Sequence, residues 1–210
     1  MLRILIADDH PLLRAGIKQA IEANFDVDAV DEVGTSQEVI EKVWHQHYDV
    51  VLLDITLPGR SGLEVLRQIR QDRYEAPVLI LSVHPEKQYA VRALKAGASG
   101  YLTKMSATDE LVDAIRVVLR GEKYITSSLA KVLAAYVESN FRESPHEILT
   151  DREFEILCMI ASGNRLKDIA KKLALSEKTI SAHRANILKK MNMNSTAELI
   201  RYVIEKELIE

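Results

Sequence analysis

Three carboxylates come directly after two short apolar segments of the sequence. Asp8 and Asp9 follow the run RILIA, and Asp54 follows the run VVLL. Apolar runs of this length are typical of strands buried on both faces of a parallel sheet, and the carboxyl ends of such strands share one edge. Three like charges within a few ångströms repel one another unless a cation lies among them. Because carboxylate oxygens suit Mg²⁺, the sequence predicts a magnesium site at this edge.

Two further polar side chains belong to the same predicted edge. Ser82 ends the run VLIL, and Lys104 follows GYLT. A carboxylate nucleophile, a divalent cation, an ammonium group and a hydroxyl together suit phosphoryl transfer onto Asp54, because the two cations neutralise charge on the equatorial oxygens. Each residue alone has an ordinary explanation, such as a solvated lysine or a carboxylate that caps a loop. The prediction therefore depends on their joint placement at the strand ends.

The elements that would position these residues alternate along the first 120 residues. Strand-like segments lie near 3–8, 28–33, 50–54, 78–82 and 99–103. Helix-like segments lie near 12–23, 37–46, 62–71, 86–96 and 107–120. This alternation predicts an α/β domain over residues 1–122, with a five-stranded, doubly wound parallel sheet of the flavodoxin-like type. The sequence contains neither GxGxxG nor GxxxxGK[ST], so the nucleotide-binding loops of such folds are not expected.

After Gly121 the strand pattern ends. Residues 123–146 are interpreted as a linker with one helix near 127–140, because the following FRESPHEI is polar and contains a proline. Residues 147–210 are predicted to form an all-α domain with helices near 151–162, 166–173, 177–191 and 196–206. Thr150 with Glu153, and Ser195 with Glu198, have the spacing of capping boxes.

Composition and charge limit the class of protein. No apolar run approaches the roughly 20 residues that cross a bilayer, and the single cysteine, Cys158, is expected in the core. We therefore expect a soluble, cytoplasmic protein with no membrane association. Residues 1–122 hold 14 basic against 19 acidic residues, whereas residues 165–190 hold eight basic and two acidic ones. This asymmetry indicates two modules with different partners.

The basic segment 166–191 predicts two helices joined by a tight turn at 174–176. Aliphatic residues such as Ile180 and Ile187 can face the core. The other sides of the second helix carry small and basic residues, namely Lys178, Thr179, Ser181, Ala182, His183, Arg184, Ala185, Lys189 and Lys190. Such a helix fits the major groove of DNA, and its cations can contact phosphates. Composition alone leaves open a solvated amphipathic helix pair.

The stretches ILIADDH, LLDITLPGRSGLEVL, ILSVH and GASGYLTK resemble the receiver domain of two-component response regulators, over about residues 1–122. The resemblance implies that a sensor histidine kinase phosphorylates Asp54 with Mg²⁺ present. It further implies that Asp9, Asp54 and the backbone carbonyl of Thr56 bind the metal directly, and that Asp8 acts mostly through water.

The same resemblance implies two switch residues. Ser82 would move toward the phosphoryl group, and the ring of Tyr101 would turn inward behind it. Many receivers follow the lysine with a proline in a cis peptide, whereas this chain has Met105. A cis bond before a residue other than proline costs roughly 2.5–4 kcal/mol. The sequence leaves the isomer of the Lys104–Met105 bond open.

An enzyme that acts on outside substrates is the less favoured interpretation. Haloacid-dehalogenase-type phosphatases also form an aspartyl phosphate at a strand end, in a DxDx[TV] arrangement. Here Asp54-Ile55-Thr56 lacks the second acid. We expect a phosphorylation switch that catalyses only its own phosphoryl transfer and dephosphorylation.

The stretches LTDREFEILCMIASG, IAKKLALSEKTI, HRANILKKM and STAELI resemble the LuxR-type helix-turn-helix, over residues 147–210. Together with a receiver, this is the layout of NarL/FixJ-type response regulators. The resemblance implies binding to double-stranded promoter DNA, base contacts from Ser181, Ala182 and Ala185, and a homodimer after phosphorylation through the last helix. Two alternatives stay open. The helical domain could bind a protein under phosphorylation control, or the chain could bind DNA without ever being phosphorylated.

Overall fold

The computed structural model describes residues 1–139 and 144–209. The chain divides into two compact units, Met1–Ala135 and Tyr136–Glu210, which are described separately below. No helix among the described residues is long and apolar enough to cross a membrane.

The first unit is an α/β fold built on one parallel sheet. Its elements are β1 (Leu2–Ala7), α1 (Pro11–Asn24), β2 (Val27–Val33), α2 (Ser36–His45), β3 (Val50–Asp54), α3 (Gly62–Gln71), β4 (Val78–Ser82), α4 (Glu86–Lys95), β5 (Gly100–Thr103) and α5 (Ala107–Leu119). The strand order is β2-β1-β3-β4-β5, with every neighbouring pair parallel. The predicted five-stranded, doubly wound sheet is confirmed.

The strands are buried because apolar side chains leave both of their faces. Every residue of β3 and of β4 is buried, which agrees with their uninterrupted apolar sequences. Alternate residues of the strands, such as Ile4 and Leu52, pack with Ile21 of α1 and Ile115 of α5 in one core cluster. This packing holds the strand ends rigidly in place.

The edge of the sheet at β5 is partly covered by the chain that follows α5. The backbone N–H of Tyr124 donates to the carbonyl of Ser99 at 2.8 Å, next to Gly100. A Cβ at Gly100 would lie 2.8 Å from Leu79 and 2.9 Å from Tyr124, so glycine is needed for this approach. The next helix, α6 (Ser127–Ser139), lies within the predicted linker 123–146, and its third residue, Leu129, is fully buried. Residues 140–143 of that predicted linker lie outside the described residues.

The second unit is helical throughout its described part. A short 3₁₀ turn at Pro145–Ile148 precedes α7 (Asp151–Ala161), α8 (Leu166–Lys172), α9 (Glu177–Lys190) and α10 (Thr196–Glu205). These four helices match the predicted ones. Gly163, two residues after the end of α7, has φ +83°, where an L-residue would be strained.

The helix starts follow the predicted capping signals, with one correction. Thr150 and Glu153 form a complete capping box, in which each side chain bonds the other residue's backbone N–H. At α10 the hydroxyl of Ser195 accepts from the N–H of Glu198 at 3.2 Å, but the Glu198 carboxylate accepts from the N–H of Asn194 at 3.0 Å. The predicted Ser195 box is therefore only half formed, because the glutamate reaches one residue further back.

Candidate functional site

The register of the sheet brings the predicted pocket residues to one edge. Ala7 pairs with Leu53, and Asp54 pairs with Leu81, so Asp8 and Asp54 leave adjacent strands at nearly the same height. The ammonium Nζ of Lys104, which follows β5, lies 2.6 Å from Oδ2 of Asp8 and 2.6 Å from Oδ2 of Asp54. The ammonium group of Lys104 therefore bridges two carboxylates that follow different strands.

The Asp54 carboxylate is almost completely removed from water. The residue is 1% exposed, and its Oδ1 accepts the backbone N–H of Thr56 at 3.0 Å. Burial raises the pKa of Asp54 to about 6, although the charge of Lys104 acts in the opposite direction. Burial by itself lowers the pKa of Lys104, but the charges of Asp54 and Asp8 outweigh that effect and raise it. The single positive charge of Lys104 does not balance the two carboxylates that it contacts.

The loop after β3 is held close to the backbone of Asp54. The N–H of Gly62 donates to the carbonyl of Ile55 at 2.7 Å. A Cβ at Gly62 would lie 2.0 Å from the carbonyl oxygen of Asp54, which no side chain can do. The hydroxyl of Thr56 is buried in this loop without a hydrogen-bond partner among the described residues. The loop thus places a polar residue beside the pocket without satisfying it internally.

Asp9 and His10 complete the cluster on its solvent side. Asp9 is exposed, and its Oδ1 lies 2.6 Å from Nδ1 of His10. The same imidazole nitrogen lies 3.0 Å from Oδ1 of Asp8. One ligand atom from each of Asp8, Asp9, His10 and Asp54 lies within 4.8 Å of the others, as a metal site requires. This donor set is rich in carboxylate oxygen and fits a divalent cation. Sequence reasoning did not single out His10, although it stands next to the acidic pair.

Ser82 and Tyr101 both bond the backbone of His84, two residues beyond the end of β4. The hydroxyl oxygen of Ser82 accepts the backbone N–H of His84 at 3.0 Å, and the hydroxyl of Tyr101 donates to the carbonyl of His84 at 2.8 Å. Both side chains are fully buried, and burial raises the pKa of the Tyr101 phenol above its usual range. The ring of Tyr101 therefore already lies inside the protein.

The Lys104 loop has ordinary backbone geometry. No peptide bond between described residues is cis, so the bond from Lys104 to Met105 is trans. The N–H of Lys104 donates to the carbonyl of Ser82 at 2.6 Å, and Met105 is 93% exposed. Although Met105 stands where many receivers have a proline, Lys104 still lies in the pocket.

Helix α9 presents the second predicted site. Among its predicted contact residues, Lys178, Ser181, Ala182, Ala185, Lys189 and Lys190 are exposed, whereas Thr179, His183 and Arg184 are partly buried. Ile180 and Ile187 are fully buried, as the helical spacing predicts. The outer face therefore carries small side chains at its centre and lysines toward both ends.

The cations predicted to contact phosphates are Lys178, Arg184, Lys189 and Lys190. Two of them, Arg184 and Lys190, bond other residues of the helical unit. Nζ of Lys190 lies 2.6 Å from Oε2 of Glu153, and Nε of Arg184 donates to the hydroxyl of Thr196 at 2.7 Å. Burial alone would raise the pKa of Glu153, but its bond with Lys190 and with the Thr150 N–H lowers it. Lys178 and Lys189 make no ion pair with the described residues, so they are the more available cations.

Two family models match the chain, one in each unit. The response regulator receiver domain matches residues 4–116, and the LuxR family of bacterial regulatory proteins matches residues 147–203. The first match contains the acidic pocket, and the second contains helix α9.

Relatives match over nearly their whole length. Response regulator UvrY of Escherichia coli K12 is 35% identical over 209 residues, which cover 99% of this chain and 96% of that protein. Oxygen regulatory protein NreC of Staphylococcus carnosus is 35% identical over 216 residues and is covered completely, as is this chain. Among solved structures, RcsB of Salmonella enterica serovar Typhimurium, bound to the rprA promoter with the phosphomimetic BeF₃⁻, aligns with a TM-score of 0.65 over 97% of this chain and 98% of RcsB. At 23% identity this likeness concerns the fold alone.

Proposed function

The chain belongs to the NarL/FixJ-type response regulators, which join a receiver domain to a LuxR-type DNA-binding domain, and on this premise we propose that Asp54 is its phosphoacceptor. As a member of that family, it is a regulator of transcription. In the proposed division of the chain, residues 1–122 receive the phosphoryl group, residues 123–146 connect, and residues 147–210 bind DNA. A sensor histidine kinase is the proposed phosphoryl donor.

The observation that carries this proposal is the Lys104 ammonium at 2.6 Å from both Asp8 and Asp54. In the transfer, an oxygen of Asp54 forms a bond to phosphorus while the bond from phosphorus to the donor imidazole breaks. The buried strand end holds the carboxylate in one position, so little reorganisation is needed. The ammonium of Lys104 lies close enough to stabilise negative charge on the carboxylate and then on the phosphoryl oxygens.

The acidic set supports a divalent cation, which we propose is Mg²⁺. Asp8, Asp9, Asp54 and the backbone carbonyl of Thr56 would hold it, with Asp8 acting mostly through water. When bound, the cation neutralises the carboxylates and the incoming phosphoryl oxygens. The charge balance favours this, because the cluster holds three carboxylates and Lys104 pairs with only two of them, Asp8 and Asp54.

Ser82 and Tyr101 are proposed to relay the phosphorylated state. Both bond the backbone of His84, so movement of Ser82 toward a phosphoryl group would release the His84 N–H. The segment between β4 and α4 would then change conformation together with Tyr101. This relay needs no contact of Tyr101 with the phosphoryl group itself.

The helical domain is proposed to bind paired half-sites of promoter DNA as a homodimer. Exposed Lys178 and Lys189 would contact phosphates, and Ser181, Ala182 and Ala185 would lie against base edges. Small side chains carry little direct readout, so the phosphate contacts are expected to supply most of the affinity. RcsB, which shares the fold, has been solved on promoter DNA, and this supports DNA as the ligand.

Substitution of the acceptor tests the proposal. The full chain is incubated with Mg²⁺ and a small-molecule phosphodonor, and acid-labile phosphate is measured. Asp54→Asn should abolish uptake, whereas Asp72→Asn, at an exposed aspartate after α3, should leave it unchanged. A DNA footprint with and without BeF₃⁻ then tests the coupling. Acid-labile phosphate on Asp54→Asn would show that the acceptor is another residue.

A second function has one observation in its favour. The exposed centre of α9 consists of Ser181, Ala182 and Ala185, which offer few hydrogen bonds to bases. Such a face could instead bind a protein partner under phosphorylation control. A pull-down with fragmented genomic DNA separates the two, because only the DNA-binding form enriches particular promoter fragments in a salt-dependent manner.

A further inference from the structure

The side chain of Arg14, in the first turn of α1, bonds one group just after β1 and another within β2. Its guanidinium donates to the backbone carbonyl of Asp8, and its Nε donates to Oε2 of Glu32 at 3.4 Å. The Arg14 side chain is only 18% exposed. The donors of a guanidinium form a rigid planar fork, so they hold two acceptors in a fixed relation. Arg14 therefore ties the turn that carries the acidic pair to the neighbouring strand β2.

The carbonyl that Arg14 holds lies immediately beyond the sheet. Pairing of β1 with β2 and with β3 ends at Ala7, so Asp8 is the first residue after the ladder. The Asp8 N–H still donates to the carbonyl of Val33 at 3.1 Å. Because a peptide unit is planar, a carbonyl held in one direction also fixes the N–H and Cα of the next residue, which is Asp9. The two bonds thus set where the main chain of the exposed Asp9 starts.

The guanidinium can act on a cation in the pocket in two opposite ways. As a positive charge beside three carboxylates it repels a divalent cation, so its removal would strengthen cation binding. As a group that orients two proposed ligands it favours the cation, and such supporting partners commonly contribute roughly ten- to hundredfold to metal affinity. Glu32 pairs with the guanidinium and offsets part of its charge. The repulsion is therefore expected to be the smaller of the two effects.

We propose that Arg14 is a positioning residue of the phosphorylation site, which orients the Asp8–Asp9 peptide for binding of Mg²⁺. The proposal rests on the proposed function, because it requires that the acidic pocket takes this cation. It adds that the affinity depends on a side chain that supplies no ligand atom. Glu32 anchors the guanidinium, so β2 contributes to the site although it carries none of the pocket residues.

Calorimetric titration of the full chain with Mg²⁺ tests the sign of the effect. Arg14→Met keeps a long side chain without donors, and it should weaken Mg²⁺ binding about tenfold or more. Arg14→Lys keeps the charge but lacks the planar fork, so it should weaken binding as well. Lys18→Met is the matched control, because Lys18 lies on the same helix at 3.5 Å from Glu32 but does not pair with Asp8 in the described part of the chain. Its Mg²⁺ affinity should stay within about twofold of the native value.

The rate of acid-labile phosphate formation at increasing Mg²⁺ concentration separates positioning from loss of the fold. In Arg14→Met the half-saturating Mg²⁺ concentration should rise by the factor found in the calorimeter. The rate at saturating Mg²⁺ should stay close to the native rate, since Asp54 and Lys104 are unchanged. Circular dichroism checks that the variant is folded, and if it is not, Arg14→Lys decides by the same two measurements.

Two results would overturn the inference and leave Asp54 as the proposed acceptor. One is unchanged or tighter Mg²⁺ binding in the folded Arg14 variants, which would mean that the guanidinium acts only as a charge or not at all. The other is an equal loss of affinity in Lys18→Met, which would trace the effect to Glu32 and not to the Asp8 carbonyl. If the native chain binds no Mg²⁺, the proposed metal site itself fails, and this inference fails with it.

Discussion

At the carboxyl edge of the sheet, opposite charges meet inside the protein, whereas on helix α9 like charges stand apart in water. Asp8 and Asp54 are at most 1% exposed and share one ammonium at 2.6 Å. Lys178 and Lys189 are exposed and make no ion pair with the described residues. Coulomb energies grow as the effective dielectric constant falls, and salt screens exposed charges. We therefore expect a single substitution in the pocket to change phosphoryl transfer strongly. Each substitution on α9 should change DNA binding by a small amount, and these amounts should add.

The largest contrast is expected from Lys104→Met. This change removes the ammonium that bridges the two buried carboxylates and leaves the transferring phosphoryl oxygens without it. The rate of acid-labile phosphate formation should fall about 10²–10³-fold, the size seen when one stabilising group of a transition state is lost. Lys18→Met, at a partly exposed lysine near Glu32, should stay within about twofold of the native rate. A native rate in Lys104→Met would remove the lysine from the mechanism.

A pH titration of stability, in metal-free buffer, isolates the burial of Asp54. Its pKa is raised to about 6 from an ordinary value near 3.8, so the folded chain holds a proton that the unfolded chain has lost. This contribution is complete below about pH 4 and is lost as the pH rises through 6. The free energy of unfolding of Asp54→Asn minus that of the native chain should therefore grow by about 2 kcal/mol between pH 4 and 8. Urea unfolding followed by the fluorescence of Trp44, the single tryptophan, measures the difference.

Adjacent lysines at the end of α9 should differ in what they stabilise. Lys190 pairs at 2.6 Å with Glu153, whose side chain is only 6% exposed, so Lys190→Ala should lower the stability of the helical domain by about 1 kcal/mol. Lys189→Ala should change it by less than about 0.5 kcal/mol. Thermal unfolding followed by circular dichroism measures both. Equal effects would mean that the Glu153 pair contributes nothing measurable.

The smallest expected effect is the salt dependence of DNA binding. Each phosphate contact contributes roughly 0.9 to the slope of log affinity against log salt. Lys178→Ala and Lys189→Ala should each reduce the magnitude of that slope by about this amount, and the double variant by about twice as much. Fluorescence anisotropy with a promoter fragment at several salt concentrations gives the slopes. A slope unchanged in the double variant would place the DNA on another surface.

The sequence predicts features that depend on strand periodicity and misses those that depend on side-chain direction. The alternation of apolar runs located every strand, and strand ends necessarily bring Asp8, Asp54 and Lys104 together. Nothing in the spacing of residues says that the ring of His10 turns toward the carboxylates. That orientation is seen only in the contacts of its Nδ1, which lies 3.0 Å from Asp8 and 2.6 Å from Asp9.

The helical domain shows the same division. The 3.6-residue period correctly placed Ile180 and Ile187 in the core. It could not separate the exposed Lys189 from Lys190, because the partner of Lys190 lies 37 residues earlier in the sequence. The contact between Arg184 and Thr196 joins different helices and was equally invisible. A pattern within one helix cannot report which cations its neighbours occupy.

The close approach of Gly62 to Asp54 has a genetic consequence. At Gly62 the distance of 2.0 Å from a would-be Cβ to the Asp54 carbonyl leaves no room for even an alanine. Any missense codon at this position should therefore displace the backbone of the nucleophile, although residue 62 carries no functional group. In a saturation library selected for signalling, position 62 should tolerate as few amino acids as position 54. Loss-of-function alleles would then accumulate at a residue eight positions from the acceptor, where the only requirement is empty space.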